Sequence, residues 1–196
     1  ISPMGIQAAA AVEIFKAAGV TFQVMECGKG VAFDDVNNVP HKYGVINRIF
    51  LEHTRELGKT LGEIAENKSA IMTGEQDAVF TGKQEEEVLK VLRDRAEACQ
   101  TPLYEYGRDF WCEDVRYTQK GMKFDIVTRK NRYVDIQIPL LGTYQAENCA
   151  LAIALCEMEL GVLEEAKIKQ ALQYLEWPGR LEVLSADPLM LLDACI

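Results

Sequence analysis

Segments with helical periodicity alternate along this chain with short apolar segments of the kind that form buried strands. The helical patterns cover 8–18, 60–72, 84–99, 145–160 and 163–175, and the strand patterns cover 20–26, 44–51, 77–81, 181–184 and 189–192. The segment 44–51 shows little alternation between apolar and polar residues, which is typical of a strand buried on both faces of a parallel sheet. The order of these patterns predicts an α/β fold with a mainly parallel sheet flanked by helices.

The segment 103–139 departs from this alternation. Its Tyr, Phe, Val and Ile residues alternate with polar residues, and turn residues interrupt the pattern at Lys120-Gly121 and at Lys130-Asn131. Such short alternating segments, broken by turns, are typical of antiparallel strands. We therefore expect a small antiparallel β insert within the α/β fold.

Two helix ends carry local signals. Thr60 precedes a helical pattern and Glu63 follows three residues later, which is the spacing of a capping box. Gly19 follows the first helical pattern, at the position where glycine commonly ends a helix. We expect one helix to begin after Thr60 and another to end at Gly19.

Composition narrows the classes of partner. The formal net charge of −9 argues against nucleic acid and against an anionic membrane, because contacts to phosphate groups need clustered Lys and Arg. No apolar run approaches the roughly 20 residues that a membrane-spanning helix needs. The six cysteines form no Cys-x-x-Cys pair and no Cys/His ligand spacing, so we expect free thiols in a reducing compartment, the cytoplasm.

Polar residues follow two of the predicted strands. Glu26 ends the first strand and opens the loop Cys27-Gly28-Lys29-Gly30, and His53 comes after the strand at 44–51. In open α/β sheets, ligands bind outside the carboxyl ends of the strands. A carboxylate and an imidazole at one sheet edge, beside a glycine loop, indicate a metal or phosphate site, with Mg²⁺ favoured if phosphate oxygens complete the shell.

The hexapeptide Trp177-Pro178-Gly179-Arg180-Leu181-Glu182 combines a rigid turn with a cation. Pro178 fixes its own backbone angle, and Gly179 admits backbone conformations that other residues resist. The planar guanidinium of Arg180 suits phosphate or carboxylate. A second apolar strand then delivers the carboxylate of Asp193.

Six motifs of this chain, the hexapeptide among them, resemble those of the folylpolyglutamate synthase branch of the Mur ligase superfamily, and they occur in the same order. The resemblance spans nearly the whole chain and is most specific at the Trp-Pro-Gly-Arg-Leu-Glu hexapeptide. It is carried by Glu26-Cys27-Gly28-Lys29-Gly30 with Asp34 and Asn37, Ile46-Asn47-Arg48-Ile49 through Glu52-His53, Leu57-Gly58-Lys59-Thr60-Leu61, Ile64 through Ile71, and Gly142-Thr143-Tyr144-Gln145 with Asn148.

The resemblance implies an ATP-dependent ligase that joins a carboxylate, such as that of a folate, to an amino acid through an acyl phosphate. It implies that Glu26 and His53 hold Mg²⁺ and that Lys68 matches the lysine that is carbamylated in the family. It also implies that Gln145, Asn148, Arg180 and Asp193 contact the nucleotide. The expected partners are therefore ATP, an acidic small molecule and an amino acid such as glutamate.

The sequence departs from the family at several positions. Val31 and Ala32 stand where the family has Gly and Arg, Glu52 stands where it has Asp, and Tyr144 where it has His. Because Val31 does not readily adopt a positive φ, we expect a different path for this loop. No Gly-Lys-Ser/Thr phosphate loop matches within the 196 residues.

We interpret the chain as a piece of a longer protein, or a trimmed form of one. In this interpretation residues 1–186 form the central domain and residues 187–196 begin a C-terminal domain. We expect catalysis from the full-length protein and not from this piece alone. Two alternatives stay open: a diverged module that binds or assembles without catalysis, and a ligase whose acceptor is not a folate.

Overall fold

The computed structural model describes residues 2–194 of the chain, which divide into two compact units. The first unit consists of the chain up to Val79 together with Gln84–Leu103. The second consists of Phe80–Lys83 together with the chain from Tyr104 onward. No helix in the described part is both long and apolar enough to cross a membrane.

Apart from the strand predicted at 20–26, helices and strands follow one another in the predicted order. The helices are α1 (Pro3–Ala18), α2 (Leu61–Ser69), α3 (Glu86–Cys99), α4 (Thr143–Leu160) and α5 (Glu165–Leu172), with a short 3-10 helix at Asp35–Asn38. The strands are β1 (Tyr43–Ile46), β2 (Ala78–Thr81), β3 (Leu103–Glu105), β4 (Phe110–Thr118), β5 (Gly121–Thr128), β6 (Arg132–Ile138), β7 (Glu182–Ala186) and β8 (Leu189–Leu192).

The first sheet has the order β1-β2-β3. Backbone bonds from Val79 N to Pro102 O, 2.8 Å, and from Tyr106 N to Thr81 O, 3.0 Å, advance along β2 and β3 in the same direction, so these strands are parallel. The predicted α/β fold with a parallel sheet is confirmed. The predicted antiparallel insert is confirmed for β4-β5-β6, whereas β3 belongs to the parallel sheet.

Of the strands predicted in the first unit, one is absent and another is shorter than predicted. Residues 20–26 form no strand, because their backbone has no neighbouring strand among the described residues with which to form a ladder. The strand predicted at 44–51 ends at Ile46. Beyond it, the side chain of Gln84 takes the place of a strand neighbour by accepting from Ile49 N and donating to Asn47 O, each at 2.8 Å.

The helix ends agree with the local signals. Thr60 accepts from Glu63 N while the Glu63 carboxylate accepts from Thr60 N, so the predicted capping box is present at α2. Gly19 ends α1 in the left-handed conformation with φ of 64°. The core of the first unit joins α2 and α3 through fully buried side chains that include Ile64, Val88 and Leu92.

The second unit contains a buried carboxylate that lacks a basic partner among its described hydrogen bonds. Glu157 of α4 is 3% exposed and accepts from Thr128 Oγ1 and from the Tyr133 hydroxyl, each at 2.6 Å. Burial and the bond to Glu157 raise the pKa of Tyr133, so its hydroxyl stays protonated and donates. The same hydroxyl accepts from Leu163 N at 3.1 Å. Glu157 therefore ties α4 to β5, β6 and the segment before α5.

Asp109 is the second buried carboxylate of this unit, and it is surrounded by donors. Its oxygens accept from Glu105 N at 2.8 Å, Arg108 Nη2 at 2.7 Å and Arg129 Nε at 2.7 Å. Burial alone would raise the pKa of Asp109, but these hydrogen bonds and the guanidinium charges outweigh burial and hold the pKa below its usual value.

We predict that Glu157→Gln lowers the free energy of unfolding by about 1–3 kcal/mol. The amide keeps the shape of the side chain but replaces one acceptor with an NH₂ group that faces a hydroxyl donor. Urea denaturation measures the loss, and exposed Glu176→Gln is the matched control. Equal stability of the two variants would contradict the role given to Glu157.

We predict that Asp109 contributes stability above about pH 4 that is lost as the pH falls further. Its folded pKa lies below the unfolded value, so protonation at low pH removes the ionised form that the folded state favours. Asp109→Asn should lower stability at pH 7, and its difference from the unsubstituted chain should shrink below about pH 4. Chemical denaturation across this pH range measures the difference, with exposed Asp94→Asn as control. A difference that does not vary with pH would contradict the prediction.

Candidate functional site

The glycine loop that follows Glu26 is braced from both sides in the first unit. Asp34 Oδ2 accepts from Gly28 N and Asp34 Oδ1 accepts from Val36 N, both at 2.8 Å. Asn67 of α2 accepts from Val31 N at 2.9 Å. Val31 is not among the described non-glycine residues with positive φ, so its backbone avoids the conformation that a valine does not readily adopt.

Gly30 is required by close approach. A Cβ at this position would lie 2.5 Å from Asn67 Oδ1 and 2.6 Å from Leu57 Cδ2. The loop is therefore held tightly against the end of α2, and the sequence pattern of alternating glycines reflects packing at this position.

Glu26 and Cys27 lie at the start of this loop. The carboxylate of Glu26 is exposed and has no hydrogen bond or ion pair with residues 2–194. Burial raises the pKa of the Cys27 thiol to about 11, with further contributions from the charges of Asp34 and Glu26, while the charge of Lys68 acts in the opposite direction. Glu26, Asp34 and Lys68 therefore lie close enough to Cys27 to act on it electrostatically.

His53 adopts an unusual backbone conformation. Its φ is 46°, in the left-handed region, and its carbonyl accepts from Glu56 N and Leu57 N at 2.9 Å. Non-glycine residues with such φ values are uncommon and cluster at functional positions. The half-buried imidazole makes no hydrogen bond within the described part of the chain.

Lys68 lies in the last turn of α2 and has a direct partner. Its Nζ donates to Glu52 Oε1 at 2.7 Å, and the two side chains are 21% and 23% exposed. Sequence reasoning treated Glu52 only as a departure from the family and gave no role to Asn67. Neither contact has a local signal, because 16 residues separate Glu52 from Lys68 and 36 separate Val31 from Asn67.

The side chains of Glu26 and His53 suit a cation that takes its remaining ligands from water or from a substrate. Among residues 2–194, no three His, Cys, Asp or Glu side chains are grouped to hold a metal ion. Glu26 and His53 nevertheless leave an oxygen and a nitrogen donor without protein partners. Mg²⁺ is commonly bound through one or two carboxylates, with water and substrate phosphates filling its octahedral shell. These residues fit Mg²⁺ bound together with a phosphate ligand, and they do not fit a closed structural site.

The four residues predicted to contact nucleotide belong to the second unit. Asn148 Nδ2 donates to Gln145 Oε1 at 3.3 Å, so the two residues share one face in the first turns of α4. Arg180 Nη1 donates to Ala194 O at 2.9 Å, and Asp193 Oδ1 accepts from Leu181 N at 3.2 Å. Arg180 and Asp193 therefore also brace the base of the β7–β8 hairpin.

We predict opposite effects for two glycine-to-alanine substitutions in the first unit. Gly30→Ala should lower the free energy of unfolding by about 1–3 kcal/mol, because the new methyl group overpacks the contact with Asn67 and Leu57. Gly62→Ala in α2 should raise it by about 0.5–1 kcal/mol, because no neighbour lies closer than 3.9 Å and alanine favours the helix. Urea denaturation checks both signs. A neutral Gly30→Ala would contradict the tight packing of the loop.

Comparison with known proteins identifies the family of this chain. The sequence pattern of the Mur ligase middle domain matches residues 2–156. A Halobacterium salinarum protein named probable bifunctional folylpolyglutamate synthase/dihydropteroate synthase is 34% identical over 179 residues, which are 91% of this chain and 22% of that protein. Bacillus subtilis dihydrofolate synthase/folylpolyglutamate synthase is 31% identical over 178 residues, which are 89% of this chain and 41% of that protein.

Solved structures give the same result. Mycobacterium tuberculosis folylpolyglutamate synthase complexed with ADP and AMPPCP has a TM-score of 0.92 at 27% identity, over 100% of this chain and 45% of that chain. A complex of folylpolyglutamate synthase with AMPPCP and folate has a TM-score of 0.88 at 28% identity, over 95% of this chain and 46% of that chain. The chain thus spans less than half the length of these relatives. Because the middle-domain pattern covers most of its residues, this chain belongs to the Mur ligase family.

Proposed function

We propose that this chain is part of an ATP-dependent ligase that joins the carboxylate of a folate-type acceptor to the amine of glutamate. The names of its relatives and the AMPPCP and folate complexes among similar structures support this proposal. Since the chain spans less than half of those relatives, we assign the activity to a longer polypeptide. In this proposal residues 1–186 form the central domain and residues 187–196 begin the next domain.

One observation carries the proposal. Lys29 of the glycine loop pairs with Glu56 at 3.0 Å, and Glu56 N donates to His53 O at 2.9 Å, so the loop that follows Glu26 lies beside the turn of His53. The side chains of Glu26 and His53 make no hydrogen bond or ion pair with residues 2–194. His53 also holds a left-handed backbone conformation that costs energy. A ligand site needs side chains that are not already bonded to the protein, whereas a loop with a purely structural role does not.

Each residue of the first unit has a chemical task in this proposal. Mg²⁺, bound by Glu26 and His53 together with ATP, would neutralise charge on the phosphoryl group during its transfer. The acceptor carboxylate would attack the γ-phosphorus of ATP, breaking its bond to the β-phosphate oxygen, so that ADP leaves and an acyl phosphate forms. The glutamate amine would then attack the acyl carbon, with phosphate leaving and the amine losing a proton. Lys68 supplies a charged group beside the glycine loop, on the side that Asn67 braces.

The second unit would contact the nucleotide through Gln145, Asn148, Arg180 and Asp193. The bond from Arg180 to Ala194 uses one of five guanidinium hydrogens, so the remaining donors can bind phosphate. Gln145 and Asn148 present amide groups on one face of α4. The five described cysteines are free thiols, in keeping with the cytoplasm as the proposed location.

A second candidate function is a module that binds or assembles without ligation. The hydrogen bonds from Arg180 to Ala194 and from Leu181 to Asp193 favour this candidate, because both side chains already stabilise the β7–β8 hairpin. A ligase with a non-folate acceptor is a third candidate, since Ala32 removes the arginine that the family carries in the glycine loop.

We predict that the longer polypeptide to which we assign the activity binds Mg²⁺·AMPPCP and that Glu26→Gln and His53→Asn each weaken this binding about 10- to 100-fold. Each substitution removes one metal ligand and should affect binding in the presence of Mg²⁺ far more than in EDTA. Isothermal titration calorimetry measures both dissociation constants.

Glu75→Gln provides the matched control for Glu26→Gln, because Glu75 is an exposed carboxylate of the same unit without a described partner. This variant should bind like the unsubstituted protein. Absence of heat with the unsubstituted longer polypeptide would overturn the nucleotide-dependent ligase and leave the assembly module.

A further inference from the structure

The second unit contains a cavity of about 60 Å³. Its walls come from β2, β3, the start of β4, the turn between β5 and β6 and the last turns of α4. Arg129 and Lys130 are the exposed members of this lining, so the mouth of the cavity lies at that turn. A buried space needs about 10–15 Å³ for each water molecule, and the cavity therefore has room for a molecule of roughly four to six non-hydrogen atoms.

Glu157 places a carboxylate in the buried part of this cavity. The residue lines the cavity and is 3% exposed. Its two oxygens accept from Thr128 Oγ1 and from the Tyr133 hydroxyl, each at 2.6 Å, and both donors are uncharged. Each carboxylate oxygen can accept a second hydrogen bond. Within the described part of the chain no basic side chain bonds to this carboxylate, so a cationic group in the cavity would be stabilised by it.

Aromatic rings form the apolar wall beside this carboxylate. Phe80 stacks on Tyr104 with ring centroids 5.0 Å apart, and the ring of Phe110 lies 6.3 Å from that of Phe80. Aromatic rings pack well against CH groups, and their faces attract ammonium groups. The buried part of the cavity therefore suits an ammonium group on a short carbon skeleton.

The mouth of the cavity has the opposite charge. Arg129 pairs with Asp109 through Nε and Nη2, which leaves the hydrogens of Nη1 for another acceptor. Lys130 Nζ donates to the backbone carbonyl of Glu157 at 3.5 Å, which leaves two of its hydrogens. Asp109 also lines the cavity, but Arg108 at 2.7 Å and Arg129 neutralise its charge. The mouth therefore suits a carboxylate.

The two ends of the cavity together disfavour simple ions. A cation would be repelled by Arg129 and Lys130 at the mouth, and an anion would be repelled by Glu157 inside. A zwitterion satisfies both ends. Glycine and alanine fit the available volume, whereas glutamate is too large for it.

We propose that this cavity binds a small α-amino acid, glycine or alanine, with its ammonium group toward Glu157 and its carboxylate toward Arg129 and Lys130. This ligand differs from the glutamate of the proposed ligase reaction. The cavity lies wholly within the second unit, so the proposal does not depend on the metal and nucleotide assignments.

Isothermal titration calorimetry of the longer polypeptide with glycine, in the absence of nucleotide, tests the proposal. We expect saturable binding of glycine. Acetate and methylammonium, each of which carries one of the two charged groups, should bind at least about 10-fold more weakly. Glu157→Gln should weaken glycine binding about 10- to 100-fold, because it removes the buried charge that faces the ammonium group. Lys130→Met should weaken it about 2- to 5-fold, because the lysine charge is exposed to solvent.

Ala154→Leu tests the location of the site by filling it. Ala154 lines the cavity and is 8% exposed, so the larger side chain should abolish glycine binding. Ala152→Leu, at an exposed position of the same helix, should leave binding unchanged. Lys120→Met, in the turn between β4 and β5, is the matched control for Lys130→Met.

Thermal unfolding confirms that each variant is folded. Because Glu157→Gln is expected to lower stability, Lys130→Met and Ala154→Leu decide the result if that variant does not fold. Absence of glycine binding would overturn the proposal, and so would binding that Lys130→Met and Ala154→Leu leave unchanged. Acetate or methylammonium binding as tightly as glycine would also overturn it, since one charged group would then be sufficient. None of these measurements uses Mg²⁺ or nucleotide, so their outcome is separate from the test of the proposed function.

Discussion

The first turn of α2 fixes the geometry of the candidate site. Two reciprocal hydrogen bonds between Thr60 and Glu63 set where the helix begins, and the buried side chains of Ile64 and Ala65 set which face it turns to the core. Successive helical residues are rotated by about 100°, so these two constraints fix the directions of Asn67 and Lys68 as well. Asn67 then braces the glycine loop, and Lys68 meets Glu52. A shift of the helix start by one residue would move both contacts.

The second unit uses buried polar groups in place of a purely apolar core. Glu157 is satisfied by two hydroxyl donors, and Asp109 by two guanidinium groups and a backbone amide. Buried carboxylates of this kind are costly unless all of their partners are in place. Glu157 therefore holds α4 against β5 and β6, and Asp109 holds the segment between β3 and β4 against Arg129 at the end of β5.

Local signals in the sequence predicted some helix ends and turns but not all of them. Thr60 and Gly19 mark helix ends through contacts within a few residues, and Gly121 and Asn131 mark hairpin turns in the same way, whereas α1 begins at Pro3 and not at the predicted residue 8. Strands were less predictable, because a β-prone segment becomes a strand only when a neighbour supplies hydrogen bonds. Residues 20–26 have the composition of a strand and no such neighbour in the described structure. The family motifs pointed to Glu26, His53 and Lys68 as candidate site residues, which stay predictions. Pairings between distant residues, such as Glu52 with Lys68, depend on the folded arrangement and carry no sequence signal.

The exposed segment 20–26 also bears on how copies of this protein associate with one another. Phe22 is 60% and Val24 is 93% exposed, so this segment presents large apolar side chains to its surroundings. The net charge of −9 opposes such encounters, because every molecule repels its copies. At physiological ionic strength that repulsion extends only about 8 Å. Self-association of the protein therefore depends on the balance between attraction through the exposed apolar side chains of 20–26 and this short-range repulsion.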